Sequence, residues 1–171
     1  MDAVTILRGE LAQGHQLLEQ AVADLTSGQL HHRWEGGTIQ SIATIYAHTI
    51  MAEDRLMSRN VQGQTPRFER DGWAERVGIA IIPFGGDYAG WVASVPSADV
   101  AALRAYAEAV YADTDACLET LAERDLDRTV SFVSEMPLGS FLATVIAWHA
   151  VHHGGEVCAL KGVLGGKGLP F

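Results

Sequence analysis

Apolar residues recur at helical spacing in four long stretches of this chain. Val4, Leu7, Leu11, Leu18, Val22 and Leu25 form one stripe, which stops at the turn signals of "TSGQL". A second stripe, after "EGGT", carries Ile42, Ile45, Tyr46, Ile50, Leu56 and Met57, with Thr38 as its expected N-cap. The third starts near Ala98, where "PSAD" reads as a helix start, and continues through Val100, Leu103, Ala107, Val110, Thr114, Cys117 and Leu121. The fourth starts near Pro137 and includes Leu142, Val145, Ile146, Leu160, Val163 and Leu164. Each stripe has to be buried against another, so the pattern predicts an all-α chain built as a four-helix bundle of up-down-down-up order.

Two connections depart from short helix–helix turns. The crossover between the second and third helices, from about residue 60 to about residue 96, is too long to be structureless in a compact domain. Within it "RFERDGWAERVG" suits a short helix, and Trp73, Phe84, Tyr88 and Trp91 offer aromatic area to dock on the bundle. A packed crossover and a lid over a site are both compatible with that content. Before the fourth helix, "RTVSFVSEM" alternates Val130 and Phe132 against polar neighbours, as a short hairpin does. The tail "GVLGGKGLPF" ends the last helix at glycine and reads as a C-terminal arm. There is no internal repeat and no low-complexity tract.

Composition narrows the functional classes. At 171 residues the chain is expected to form a single domain, 1–171, able to bury a core without staples. Its 48% apolar and 19% charged content excludes intrinsic disorder. Twelve Lys and Arg against 21 Asp and Glu give −9 at pH 7 with no basic run, which argues against a nucleic-acid partner. The most apolar run, "FLATVIAWHAV", is too short to span a bilayer and contains His149, so no membrane association is expected. The N-terminus has no signal-peptide pattern, and Cys117 and Cys158 make no disulfide framework. A cytoplasmic protein whose cysteines act as small buried hydrophobes is the expectation.

The segment "WHAVHHGGEV" is where chemistry is concentrated. On a wheel of about 100° per residue with Phe141 at zero, the fourth stripe centres at about 85°. His149 falls at about 80°, His153 at about 120° and Glu156 at about 60°, all inside that stripe. His152 lands at its edge, at about 20°, and Cys158 on the far side, at about 260°. Two imidazoles and a carboxylate inside an apolar stripe cost free energy unless each finds a partner, and side chains four apart on a helix can share one ion. H-x-x-x-H on one helix face supplies two nitrogens to a first-row metal. A third must come from elsewhere, and His48, mid-helix in "TIYAHTIMAED" at the border of its stripe, is the candidate; a half-exposed surface histidine is the competing reading. His15, in the first stripe, suits either a pocket-lining residue or a satisfied core histidine. His31 and His32 have no assigned role. Gly154 and Gly155 would end most helices, but Leu160, Val163 and Leu164 keep the phase, so the helix is expected to continue and the glycines to admit a close neighbour or ligand. No phosphate loop, G-x-S-x-G elbow or H-E-x-x-H protease motif is present.

One histidine in the second helix and H-x-x-x-H followed by x-G-E/Q in the fourth resemble the DinB/YfiT-like family, which includes thiol-dependent S-transferases and metal-dependent hydrolases on a four-helix bundle. Here "AHTIMAEDR" supplies His48, and "HAVHHGGE" supplies His149, His153 and then Gly154, Gly155 and Glu156. The likeness spans nearly the whole chain in helix order, including the crossover and the closing "LGGKGLPF"; the extra His152 departs from the pattern. The resemblance implies a divalent metal, zinc or nickel foremost with iron or manganese as alternatives, held by His48, His149 and His153. It implies Glu156 as acceptor for an imidazole N–H. It further implies transfer of a low-molecular-weight thiol to an electrophilic small molecule, in detoxification or stress response, and a homodimer. Hydrolysis of a small substrate at the same ligands, and a non-enzymatic dimer with a vestigial metal site, are the other readings.

Overall fold

The structure, a computed structural model, describes residues 2–35 and 38–169. The glycine pair of "EGGT" and the last two residues of the C-terminal arm lie outside the described residues. In chain order the helices are α1 (Ala3–Val22), α2 (Ser27–Leu30), α3 (Ile42–Leu56), α4 (Arg67–Arg70), α5 (Trp73–Val77), α6 (Tyr88–Ser94) and α7 (Val100–Glu119). An antiparallel hairpin follows, β1 (Thr129–Ser131) and β2 (Glu135–Pro137), with Val130 opposite Met136. The chain then forms α8 (Leu138–Phe141) and, through a π-helical stretch at Leu142–Ala147, α9 (Trp148–Val163). The protein is mostly helical, as the pattern predicted. α1 packs on α7 and α9, and α3 packs on the same two helices.

Local chemistry explains the boundaries. Asp2 caps α1 by accepting from the Thr5 amide, and Asp99 caps α7 by accepting from the Ala102 amide. After α1 the chain turns into α2 through a capping box, Thr26 with Gln29. The N-cap of α3 is Ser41, whose hydroxyl accepts from the Thr44 amide at 3.2 Å, and not the expected Thr38. Ser41 lies directly before the first buried residue of the helix, where a cap can reach the orphan amides; Thr38 is three residues too early. α3 is buried on almost every face, and His48 and Arg55 are its only incompletely buried residues.

The fourth helix runs unbroken through Gly154 and Gly155, but its phase differs from the wheel. Leu138, Phe141 and Leu142 are buried, and after the π turn the buried set continues with Ala147, Ala150, Gly154, Val157, Cys158 and Lys161. A regular helix continued from Leu142 would instead bury positions 149, 153 and 156. The π turn adds one residue to the circuit and so moves the core face by one position. Cys158, expected on the far side, is therefore 2% exposed, while Val163, expected inside, is 71% exposed. His149, His153 and Glu156 sit half-buried beside the core face instead of at its centre.

Close approach of α1 and α9 depends on two glycines. A Cβ on Gly154 would lie 3.1 Å from the Leu17 side chain, and one on Gly14 would lie 3.3 Å from Ala150 and Val151. Gly155 faces open space.

The crossover is packed: Phe68, Trp73, Val77, Ile82, Trp91 and Val95 join α1, α3, α7 and α9 in the larger apolar cluster. Its anchor is Asp54 of α3, buried at 3% exposure, whose carboxylate accepts from the Arg67 and Phe68 amides, both at 2.9 Å. Those are orphan donors of the α4 N-terminus, capped from a distant helix. Phe84 and Tyr88 of the same segment stay half-exposed.

Candidate metal centre

Helix α3 presents His48 and α9 presents His149 and His153, one turn apart, to the same point. One nitrogen from each ring lies within 4.8 Å of the other two. The Nε2 atoms of His48 and His149 are 3.0 Å apart, and the His149 and His153 rings are near-perpendicular with centroids at 4.5 Å. Two nitrogens held by one ion at about 2.1 Å each can be at most about 4.2 Å apart, so a small side-chain rotation closes the set.

Electrostatics suits the same role. Burial, followed by the neighbouring His153, pushes His48 down from its ordinary 6.5 to about 4. His149 is pushed to about 3 by burial first, then by His153 and His48. Both rings are thus neutral over the physiological range, the form in which imidazole binds a cation. His153 places Nδ1 at 2.8 Å from Glu156 Oε2. Because a carboxylate only accepts, Nδ1 carries the proton in this bond, and in the neutral ring that leaves the lone pair on Nε2. His48 Nδ1 is buried without a partner.

The remaining histidines are not part of this set, although the His152 ring meets that of His153 edge-on with centroids at 5.8 Å. His15 bonds through Nε2 to Glu53 at 2.8 Å and stacks on Tyr111 with centroids at 3.9 Å, so it is a satisfied core histidine that also lines a cavity between α1 and α7. His152 is exposed and packs on Trp148. Cys117 is half-buried and Cys158 buried, both free, with burial pushing each thiol up.

The sequence reading missed two features. Glu53 and Asp54, adjacent in α3, are both 3% exposed and point at different partners: Glu53 takes His15 and the Thr114 hydroxyl, while Asp54 takes the crossover. The available signal was two acids inside an otherwise apolar helix. The second feature is a cleft of about 280 Å³ opening on His48 and His149. Phe84 of the crossover, Phe132 of the hairpin and Trp148 of α9 wall it, over Ala52, Leu56 and Val145.

The model of the DinB superfamily matches residues 10–157. No curated protein sequence matches the chain. Among solved structures, a conserved protein from Enterococcus faecalis shares the fold with a TM-score of 0.79 at 18% identity, over 96% of this chain and 99% of that one. Among the described residues no helix is long and apolar enough to cross a membrane.

Proposed function

Because the chain belongs to the DinB superfamily, we propose that His48, His149 and His153 hold one divalent cation and that the protein is a metal-dependent enzyme acting on a small electrophile. Three imidazole nitrogens converging from two helices carry this reading. Zinc or nickel suits an all-nitrogen donor set best, with iron or manganese as alternatives. A cation bound there supplies Lewis acidity, lowering the pKa of a coordinated thiol or water. The chain's own residues orient the centre. Glu156 holds the proton on His153 Nδ1, and Phe84, Phe132 and Trp148 limit water on one side.

The reaction we favour is transfer of a low-molecular-weight thiol to the electrophile, because three protein ligands leave coordination positions free for a thiol. Hydrolysis would use the same ligands, and a thiol requirement for turnover separates the two. The reading extends to an up-down-down-up four-helix bundle in the cytoplasm, assembled as a homodimer. The exposed Val151 and Val163 on α9 support an apolar contact between copies.

The test is metal content by plasma mass spectrometry on untagged protein, beside His48→Ala, His149→Ala and His153→Ala. Near one metal per chain in the parent, lost or sharply weakened in each variant, is expected. No metal after incubation with zinc or nickel would sink the proposal.

A further inference from the structure

The cleft beside the histidines has no charged residue in its lining. On a chain of net charge −9, that is a selective feature. Besides His48 and His149, its polar side-chain groups are the Trp148 indole N–H and the hydroxyl of Thr144, which already donates to the Ser140 carbonyl at 2.7 Å. An anionic or strongly hydrated group seated at its aromatic end would lose its water with no charged side chain in the lining to replace it.

Its walls are held in place before any ligand arrives. The Arg55 guanidinium sits 4.7 Å from the Phe84 ring centroid, Phe141 meets Phe132 edge to face at 5.9 Å, and His152 covers Trp148 with centroids at 4.7 Å. Phe84, Phe132 and Trp148 are 43%, 39% and 60% exposed, although each is braced. They come from three separate elements, the crossover, the hairpin and α9, which converge on this one concavity. Large apolar side chains left open to water around a cavity mark a ligand site.

We infer that the cleft binds the neutral, apolar end of the substrate, an aromatic ring or a branched or straight hydrocarbon, and delivers the adjoining reactive atom to His48 and His149. At about 30 Å³ per water-sized atom, it accommodates roughly nine heavy atoms. A polar co-substrate is excluded from it and has to approach from the side of His153 and Glu156, the latter 39% exposed. The inference rests on reading the histidine cluster as the reactive centre.

The experiment uses the full chain stripped of metal, with binding of neutral probes followed by ligand-observed NMR and calorimetry. For straight-chain alcohols, affinity is expected to rise about three- to fourfold per methylene and to level off near roughly nine heavy atoms. Benzyl alcohol is expected to bind at least tenfold more tightly than benzoate. Thr144→Asp, at an exposed position of the lining, is expected to weaken the alcohols at least tenfold, and Phe132→Ser to weaken them several-fold, both with the circular dichroism of the parent. A flat alcohol series, equal binding of benzoate, or unchanged affinity in folded Thr144→Asp overturns the inference. In the cobalt-loaded protein the bound probe's NMR lines are expected to broaden. Metal uptake without probe binding overturns this inference and leaves the metal proposal standing; probe binding without metal uptake supports the cleft and overturns the metal proposal instead.

Discussion

Removing the carboxylate of Asp54 tests the account of how the crossover is attached. Asp54 accepts from the Arg67 amide, the Phe68 amide, the Ser58 hydroxyl at 3.0 Å and the Tyr106 hydroxyl at 2.6 Å. Tyr106 is fully buried, and burial followed by the Asp54 charge pushes its phenol well above its usual range, so it acts here as a neutral donor. In Asp54→Ala the Ser58 hydroxyl can turn away, but two amides and the phenol lose a charged acceptor. Each such loss costs about 1–3 kcal/mol, so the expected destabilisation is about 4 kcal/mol after partial hydration of the gap. Against a typical stability of about 5–15 kcal/mol, the variant should fold with a much lower urea midpoint. Tyr106→Phe alone is expected to cost about 1.5 kcal/mol, and the double variant less than the sum, by about 1 kcal/mol or more. Urea denaturation followed by circular dichroism gives all three numbers, and hydrogen exchange should show the Arg67 and Phe68 amides losing protection first. A cost below about 1 kcal/mol for Asp54→Ala, or strict additivity with Tyr106→Phe, would refute the remote cap.

Glycine substitutions in α9 should have opposite signs. Gly155→Ala, in open space within a helix, is expected to gain about 0.5–1 kcal/mol, whereas Gly154→Val, against Leu17, should lose about 1–3 kcal/mol by thermal or urea unfolding. In metal-free protein, folded His48 and His149 titrate near 4 and 3 against an ordinary 6.5, so between those limits the unfolded chain binds more protons. Their contribution is therefore intact above pH 6.5 and is lost as pH falls toward 4. Urea midpoints at pH 7 and pH 5 should differ less in His48→Gln than in the parent; equal differences would contradict the assignment. Glu156→Gln should weaken zinc or nickel binding about 10–100-fold in a competitive chelator titration, while retained affinity would mean that the carboxylate does not orient His153.

The four long helices were legible because their apolar period is long and regular, and the hairpin because Val130 and Phe132 alternate against short polar residues. The phase of the last helix was not legible. Nothing in "LATVIA" distinguishes a π turn from an α turn by period alone, and the one-residue offset moved Cys158 inward and Val163 outward. The H-x-x-x-H spacing placed His149 and His153 side by side, but bringing His48 to them needed either the family resemblance or the structure. Glu53 and Asp54 escaped because an acid on a helix is read by default as solvated. The cleft escaped for a different reason: its walls come from elements far apart in the chain, and no local window contains them.

The π turn at Leu142–Ala147 also sets where this chain tolerates a change of length. Deleting any one of those six residues would turn the stretch into a regular helix, and because the π turn holds one residue more than an α turn, everything after the deletion would keep its present face toward the core. Gly154 would stay against Leu17, Lys161 near Asp24, and the two histidines beside His48. Substitutions in this stretch change single side chains and act locally. A residue lost further along α9 would instead turn everything beyond it by about 100° and misalign the helix's inner surface, so the π turn absorbs a loss that the rest of the helix cannot.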